Sequence, residues 1–180
     1  AATVDHLHLF MVSDTASLIP FAVRERLIKE NTAAFHTISY HRTDDYLISS
    51  ATFPSYFLPD SDEAITVQAA LDAALFIKIA AALHITYRFV GEEPFSRVTK
   101  LYNKVLEETL PKHGIDLHII PRKTAHGIPI SASAARLLLV HGNWTELADI
   151  VPPTTLRFFQ SEEGLAVIER LRRAENLVHY

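Results

Sequence analysis

The sequence predicts an α/β fold in which a parallel sheet carries helices on both faces, with further helices at the C-terminal end. Four segments show the β-rich or alternating pattern of strands, at residues 4–12, 37–40, 85–90 and 117–120. Segments of helical period separate them, and strands joined by helical crossovers form parallel sheets. Residues 143–180 contain no strand pattern. We therefore predict an α/β domain over residues 1–142 and a C-terminal helical extension over residues 143–180.

The helices are predicted from apolar residues at helical spacing and from signals at their ends. They are expected at residues 20–35, 63–83, 96–110, 131–140, 144–150, 154–160 and 162–178. Pro20 suits the first turn of the first helix. Residues 41–62 form a long loop, and loops of that length are commonly functional or lid-like. Within it, residues 46–57 carry Ser, Thr and four aromatic side chains, which fits an acyl pocket or lid, or a packed Ω-loop.

Composition argues against several classes of function. The chain has 180 residues, of which 48% are hydrophobic and 21% charged, as in an ordinary globular protein. A net charge of −4 argues against broad attraction to nucleic acid or to an anionic membrane. The absence of cysteine excludes a thiol nucleophile and a disulfide framework. The longest apolar stretch, residues 73–83, contains Lys78 and is short for a bilayer span, and no signal peptide is visible, so we expect a cytoplasmic protein.

The segment from Ile130 to Arg136 carries the clearest chemical signal in the chain. Two hydroxyl residues, Ser131 and Ser133, lie where a helix is expected to begin, and Arg136 follows one turn later. A helix start has unpaired N–H groups and partial positive charge, so it attracts anions. The hydroxyls add donors and the guanidinium adds a bidentate fork, which together predict a phosphate cradle. An ordinary N-cap followed by a solvated arginine is the commoner arrangement for such a segment taken alone.

Two other groups of residues lie beyond the carboxyl ends of predicted strands, where doubly wound sheets bind ligands. Arg122 and Lys123 follow the strand at residues 117–120 and would bring two cations beside the cradle, although paired basic residues are commonly just solvated. Gly91 and Glu92 follow the strand at residues 85–90, which looks buried, and the glycine permits close approach of a nucleotide base. A plain strand-to-helix turn explains the glycine equally well. None of the ten histidines has the spacing of a metal ligand, so we expect no metal site.

Four segments of the chain together resemble a known family. Ile130-Ser131-Ala132-Ser133 with Arg136 is similar to ISSSxxR, the second signature of the HxGH-type nucleotidyltransferase superfamily. The segments LHLF, YLISSATFPSYF, RFVGEEPF and PISAS resemble segments that occur in the same order in the citrate lyase ligases. The resemblance extends from residue 5 to about residue 160.

This resemblance implies a Rossmann-like sheet and a specific reaction. Citrate lyase ligases use ATP and acetate to acetylate the prosthetic-group thiol of the citrate lyase acyl carrier protein, through acetyl-adenylate, with release of AMP and pyrophosphate. A thiol supplied by the partner agrees with a chain that lacks cysteine. Mg²⁺ is expected to enter with ATP, with no protein ligand identified, and a homo-oligomer is left open.

The resemblance also implies roles for the residues singled out above. Arg136 and Ser133 are the candidate catalytic residues, because Arg136 would neutralise charge on the leaving pyrophosphate. Ser131 and Ser133, with the helix start that follows Ile130, would hold the β- and γ-phosphates. The remaining candidate nucleotide-binding residues are Gly91 and Glu92 near the adenosine, and Arg122 and Lys123 near the phosphates.

One departure from the superfamily pattern is large. The first signature, HxGH, occurs nowhere in this chain. We therefore expect a fragment that lacks the first, central strand of the sheet, between the strands at residues 4–12 and 85–90, and that does not catalyse adenylation alone. Two alternatives stay open, a stand-alone adenylyl- or cytidylyltransferase and a non-catalytic nucleotide-binding or interaction module.

Overall fold

The computed structural model describes residues 4–13, 17–56 and 60–174. Within them the strands are β1 (Leu7–Met11), β2 (Ile38–Arg42), β3 (Tyr87–Gly91), β4 (Asp116–Ile120), β5 (Thr124–Ala125) and β6 (Ile128–Pro129). The helices are α1 (Phe21–Thr32), α2 (Asp62–Leu83), α3 (Arg97–Thr109), α4 (Ala132–His141), α5 (Trp144–Ile150), α6 (Pro153–Phe159) and α7 (Glu162–Arg173). The predicted α/β class is confirmed. The parts of the predicted elements at residue 57 and at residues 175–178 lie outside the described residues.

The four predicted strands form two parallel pairs. β1 pairs with β2, and the Leu7 N–H donates to the Thr37 carbonyl at 2.8 Å, while the Thr43 N–H donates to the Met11 carbonyl at 3.1 Å. These bonds join the two starts and the two ends, so both strands run in the same direction. β3 pairs parallel with β4, and its last residue lies opposite Ile120. The Rossmann-like arrangement, and the strand expected between β1 and β3, remain predictions.

The expectation that β3 is a buried strand is wrong for one of its faces. Tyr87 and Phe89 are 48% and 36% exposed, whereas Val90 packs against the core. Aromatic or aliphatic residues occur on both faces of β3, which made the strand look buried. Within β3, Arg88 and Val90 are partly buried, whereas Tyr87, Phe89 and Gly91 are exposed.

The hairpin formed by β5 and β6 was not predicted. No element was predicted between the strand at residues 117–120 and the helix at residues 131–140, but β5 and β6 pair antiparallel around His126 and Gly127. Both turn residues have positive φ, 52° and 77°, the conformation of a two-residue type I′ turn. Each strand has only two residues, so no alternation could be read, and Gly127 was the one available signal.

The described residues divide into two compact units. The helical unit comprises residues 4–9, 17–40 and 123–174, and the sheet unit comprises residues 10–13, 41–56 and 60–122. In the helical unit, α1 and α4 share one apolar core with α5, α6 and α7. The domain boundary predicted between residues 142 and 143 stays a prediction. The apolar core of the helical unit includes α4, which precedes that boundary, and α5, α6 and α7, which follow it.

α2 organises the core of the sheet unit. It has 22 residues and is the longest of the described helices, as the apolar spacing predicted. Ser61 caps its start by accepting the Ala64 N–H at 3.2 Å, and Ile65 and Phe76 lie fully inside the core. By length and composition, α2 is the single described helix that could cross a bilayer, although the 73–83 stretch looked too short. A core helix meets the same criterion, and a buried Asp72 together with a packed face is typical of one.

Residues 43–56 form a packed loop rather than an open lid. Leu47 and Phe53 belong to the core of the sheet unit, at 3% and 0% exposure. The buried Ser49 hydroxyl donates to the Asp45 carbonyl at 3.0 Å, and the Ser55 N–H donates to the Gln68 side chain at 2.8 Å. The expectation that residues 46–57 form a packed loop is therefore confirmed for residues 46–56.

Candidate functional site

The predicted site residues fall into two groups, one in each unit. The helical unit holds Lys123, Ile130, Ser131, Ser133 and Arg136. The sheet unit holds Gly91, Glu92 and Arg122. The boundary between the units separates the adjacent Arg122 and Lys123.

Ser131 is the N-cap of α4. Its backbone is extended, with φ −135° and ψ 154°, and its hydroxyl oxygen accepts the Ala134 N–H at 3.1 Å. The N-cap interpretation of this serine is therefore confirmed. A hydroxyl that accepts one hydrogen bond still carries a hydrogen that it can donate. Capping the helix and binding an anion are therefore compatible tasks for Ser131.

Arg136 contacts the second serine of the segment. Its Nη2 donates to the Ser133 hydroxyl oxygen at 3.0 Å, across one turn of α4. Both side chains are partly buried. Burial lowers the pKa of the Arg136 guanidinium, because removing a cation from water disfavours its charged form. Arginine stays charged at neutral pH nonetheless, so an anion at this position would offset the cost of desolvation.

The β5–β6 hairpin leads directly into the cap. The Ile130 N–H donates to the Lys123 carbonyl at 2.9 Å, which closes the base of the hairpin. At the other end, the His126 Nε2 lies 3.1 Å from the Asp149 carboxylate on α5. These contacts fix the direction in which the chain reaches Ser131. The Lys123 side chain is exposed, and its role toward polyphosphate stays a prediction.

In the sheet unit, Gly91 and Glu92 lie where the carboxyl ends of β3 and β4 meet. The Glu92 N–H donates to the Ile120 carbonyl at 2.9 Å, and the Asn103 amide on α3 donates to the Gly91 carbonyl at 3.1 Å. A Cβ at Gly91 would meet no atom within 4 Å, so the chain's own packing does not require a glycine there. Open space beside Gly91 is what the predicted approach of a base would need.

Arg122 belongs to a local acidic network that sequence reasoning missed. Its Nη2 pairs with the Glu93 carboxylate at 3.0 Å, and its Nε donates to the Glu92 carbonyl at 3.2 Å. The other Glu93 oxygen accepts the N–H groups of Phe95 and Ser96, at 2.8 and 2.9 Å. The charge of Arg122 is thus balanced by Glu93. The available signal was an acid three residues before Ser96, the N-cap of α3.

A buried polar network in the sheet unit was also missed. Asp72 is 0% exposed and accepts hydrogen bonds from the Ile48 N–H at 2.6 Å and the Tyr102 hydroxyl at 2.7 Å. Arg88 Nη2 donates to the same hydroxyl at 3.2 Å. Burial is the main cause that raises the pKa of Asp72, and it raises the pKa of Tyr102 as well. An acid within the apolar pattern of the longest helix was the signal.

The described residues contain no cluster of three or more His, Asp or Glu side chains able to hold a metal ion. No dedicated metal ligand can therefore be assigned among them.

The fold is that of an α/β domain in which Ser131 caps the start of α4. A family model, the citrate lyase ligase C-terminal domain, matches residues 1–159. The chain belongs to this family. No solved structure matches it significantly.

Three curated relatives extend the comparison. The chain is 43% identical over 166 residues to a citrate (pro-3S)-lyase ligase of Haemophilus influenzae, which covers 87% of this chain and 48% of the relative. It is 38% identical to the ligase of Escherichia coli (89% of this chain, 47% of the relative) and 37% identical to that of Klebsiella pneumoniae (88% and 48%). The chain therefore spans about half the length of the curated relatives it matches.

Proposed function

We propose that this chain takes part in the ATP-dependent acetylation of the prosthetic-group thiol on the citrate lyase acyl carrier protein. Membership in the citrate lyase ligase C-terminal domain family supports the proposal, as do three relatives named citrate (pro-3S)-lyase ligase. Acetate, ATP and the carrier protein are the proposed partners, and the cytoplasm is the proposed location.

The proposed reaction has two steps. An acetate oxygen attacks the α-phosphorus of ATP, and the bond to the β-phosphate oxygen breaks, giving acetyl-adenylate and pyrophosphate. The carrier thiolate then attacks the acetyl carbon, AMP leaves, and a thioester remains. Such chemistry depends mainly on positioning and on stabilisation of developing charge.

The observation that carries the proposal is the arrangement at the start of α4. Ser131 and Ser133 with the first N–H groups of the helix hold the β- and γ-phosphates, and Mg²⁺ enters with ATP. Arg136, held 3.0 Å from Ser133, stabilises the charge that grows on the leaving pyrophosphate. We assign Gly91 and Glu92 to the adenosine side, and Arg122 and Lys123 to weaker contacts with phosphate.

Calorimetry tests this assignment directly. We expect Mg²⁺–ATP and pyrophosphate to bind the chain, and Arg136→Ala to weaken both far more than it weakens adenosine. Arg157→Ala is the matched control, because Arg157 is an exposed arginine elsewhere in the helical unit. An equal effect of Arg136→Ala on adenosine and pyrophosphate would show that Arg136 does not meet phosphate.

A second candidate function is nucleotide binding without turnover. It is favoured by the absence of an HxGH motif from this sequence. We expect this chain alone to bind ATP and to form no acetyl-AMP, so measurable acetyl-AMP would contradict the expectation. Pyrophosphate exchange distinguishes the ligase from a stand-alone adenylyl- or cytidylyltransferase, because the exchange depends on acetate only in the ligase.

A further inference from the structure

Asp72 is a buried acid that the proposed mechanism does not use. It lies near the middle of α2 with no exposed surface, and its two carboxylate oxygens each accept one hydrogen bond. Burial of a carboxylate costs free energy, and replacement of buried ionic groups by apolar residues is often neutral or stabilising. Stability alone therefore gives no reason for an acid here, and the two bonds that it makes are the remaining explanation.

One of these bonds connects Asp72 to the carboxyl end of β3. The Tyr102 hydroxyl donates to Asp72 and accepts from Arg88, which lies on β3. The next residue, Asn103, donates to the carbonyl of Gly91 at 3.1 Å. α3 is thus tied to β3 at two points three residues apart. Because the Tyr102 hydroxyl is oriented by Asp72, the buried acid determines how this face of α3 sits against the strand.

The other bond holds the loop of residues 43–56. The Ile48 N–H donates to Asp72 at 2.6 Å, and Ile48 has a φ of +47°. A β-branched residue at positive φ is a genuine outlier, and it persists only where surrounding contacts enforce it. Leu47, the preceding residue, is buried in the core. Asp72 and the core together keep the loop in a conformation that it would not adopt alone.

We propose that Asp72 is a positioning residue whose carboxylate aligns α3 with β3 and so sets the backbone at Gly91 and Glu92. This inference rests on the proposed function, in which that backbone meets the adenosine moiety of ATP. The phosphates, by contrast, meet the start of α4. Disturbance of Asp72 should therefore reduce affinity for a nucleoside and leave affinity for pyrophosphate unchanged.

The test compares AMP and pyrophosphate as calorimetric probes on the 180-residue chain. Asp72→Asn keeps the side-chain shape but has one acceptor oxygen for two donors, the Tyr102 O–H and the Ile48 N–H, and Tyr102→Phe removes the hydroxyl altogether. We expect each to weaken AMP binding by about tenfold, roughly the loss of one hydrogen bond, and pyrophosphate binding by less than about twofold. The double variant should be no worse than either single one, since both act through one contact.

Leu106→Val is the matched control for simple destabilisation. Leu106 is 0% exposed and lies on α3, outside the hydrogen-bond network. Its truncation should shift the folding equilibrium toward the unfolded state by about fivefold without changing AMP binding. Unchanged AMP affinity in Asp72→Asn, an equal loss for AMP and pyrophosphate, or the same loss in Leu106→Val would each overturn the inference.

Amide hydrogen exchange gives a readout that needs no ligand. The Glu92 N–H, bonded to the Ile120 carbonyl at 2.9 Å, should exchange faster in Asp72→Asn and at the wild-type rate in Leu106→Val. If the wild-type chain binds neither AMP nor pyrophosphate, the proposed function fails, and this exchange rate still decides the positioning role. An unchanged Glu92 rate in Asp72→Asn would then refute it.

Discussion

Two substitutions at Ser131 separate helix capping from anion binding. The hydroxyl accepts the Ala134 N–H at 3.1 Å, so Ser131→Ala leaves one N–H group of the first turn without its cap. Such a loss costs about 1 kcal/mol, or roughly a fivefold change in the unfolding equilibrium. Ser131→Asp supplies a carboxylate that caps equally well and suits the positive end of the helix, so stability should stay at the wild-type level.

The order of the two variants is reversed for pyrophosphate binding. Ser131→Asp should keep the wild-type stability but bind pyrophosphate more weakly than Ser131→Ala. A carboxylate about 4 Å from a phosphate charge repels it by about 4 kcal/mol at an effective dielectric constant near 20. Ser131→Asp should therefore weaken pyrophosphate binding by on the order of 1,000-fold. Ser131→Ala loses one hydrogen bond to a charged group, and its affinity should fall by about tenfold.

Urea unfolding followed by circular dichroism, and calorimetry with pyrophosphate, measure the two effects separately. Ser61→Ala is the control, because Ser61 caps α2 in the sheet unit through the Ala64 N–H at 3.2 Å. It should lose similar stability and keep full pyrophosphate affinity. If Ser131→Asp binds pyrophosphate as tightly as the wild type, the start of α4 is a capped helix and not a phosphate cradle.

Three further predictions concern stability. A Cβ at Gly164 would lie 2.0 Å from the Phe158 carbonyl oxygen, so Gly164→Ala should lower the free energy of unfolding by about 3 kcal/mol or more. Gly91→Ala, where the Cβ would meet no atom within 4 Å, should lower it by under about 1 kcal/mol. Equal losses in urea unfolding would contradict the packing. Since burial raises the pKa of Asp72 above 3.8, its contribution is fully present below that pH and is lost as pH rises through the folded-state pKa. The stability of the wild type relative to Asp72→Asn should thus fall as pH rises above 3.8 in urea titrations, and an increase with pH would refute this. Arg122→Ala leaves the largely buried Glu93 without its cation and should lower the stability by about 1–2 kcal/mol. Lys123→Ala, at an exposed position, should lower it by under about 0.5 kcal/mol. Reversal of that order in thermal melts would count against the ion pair.

Local signals predicted most of the elements. α5 has the predicted bounds, and α2 begins one residue before its predicted start, because apolar spacing and capping residues act within a few positions along the chain. Ser131 was identified as a cap candidate on the same grounds, and the structure confirms the cap. The resemblance to the citrate lyase ligases was readable from four collinear segments, and the family match confirms it.

Contacts between distant residues could not be read from sequence. Arg122 looked like a cation available for phosphate, but its partner, Glu93, is 29 positions away along the chain. Asp72 meets the Ile48 N–H across 24 positions and the Tyr102 hydroxyl across 30. No periodicity links such residues, since the packing of helix on strand decides which of them meet.

The sequence by itself determined the α/β class, the positions of its helices and main strands, the capped start of α4 and the family. Each of these depends on residue types and on spacings within one element or one motif. Such local patterns can be read without knowing which distant residues meet in the folded chain. Only the tertiary structure decided that Arg122 is paired, that Arg136 is half-buried against Ser133, and that Asp72 is fully enclosed. Charge and protonation depend on how much water and which partners surround a group, and folding brings those partners from remote parts of the chain.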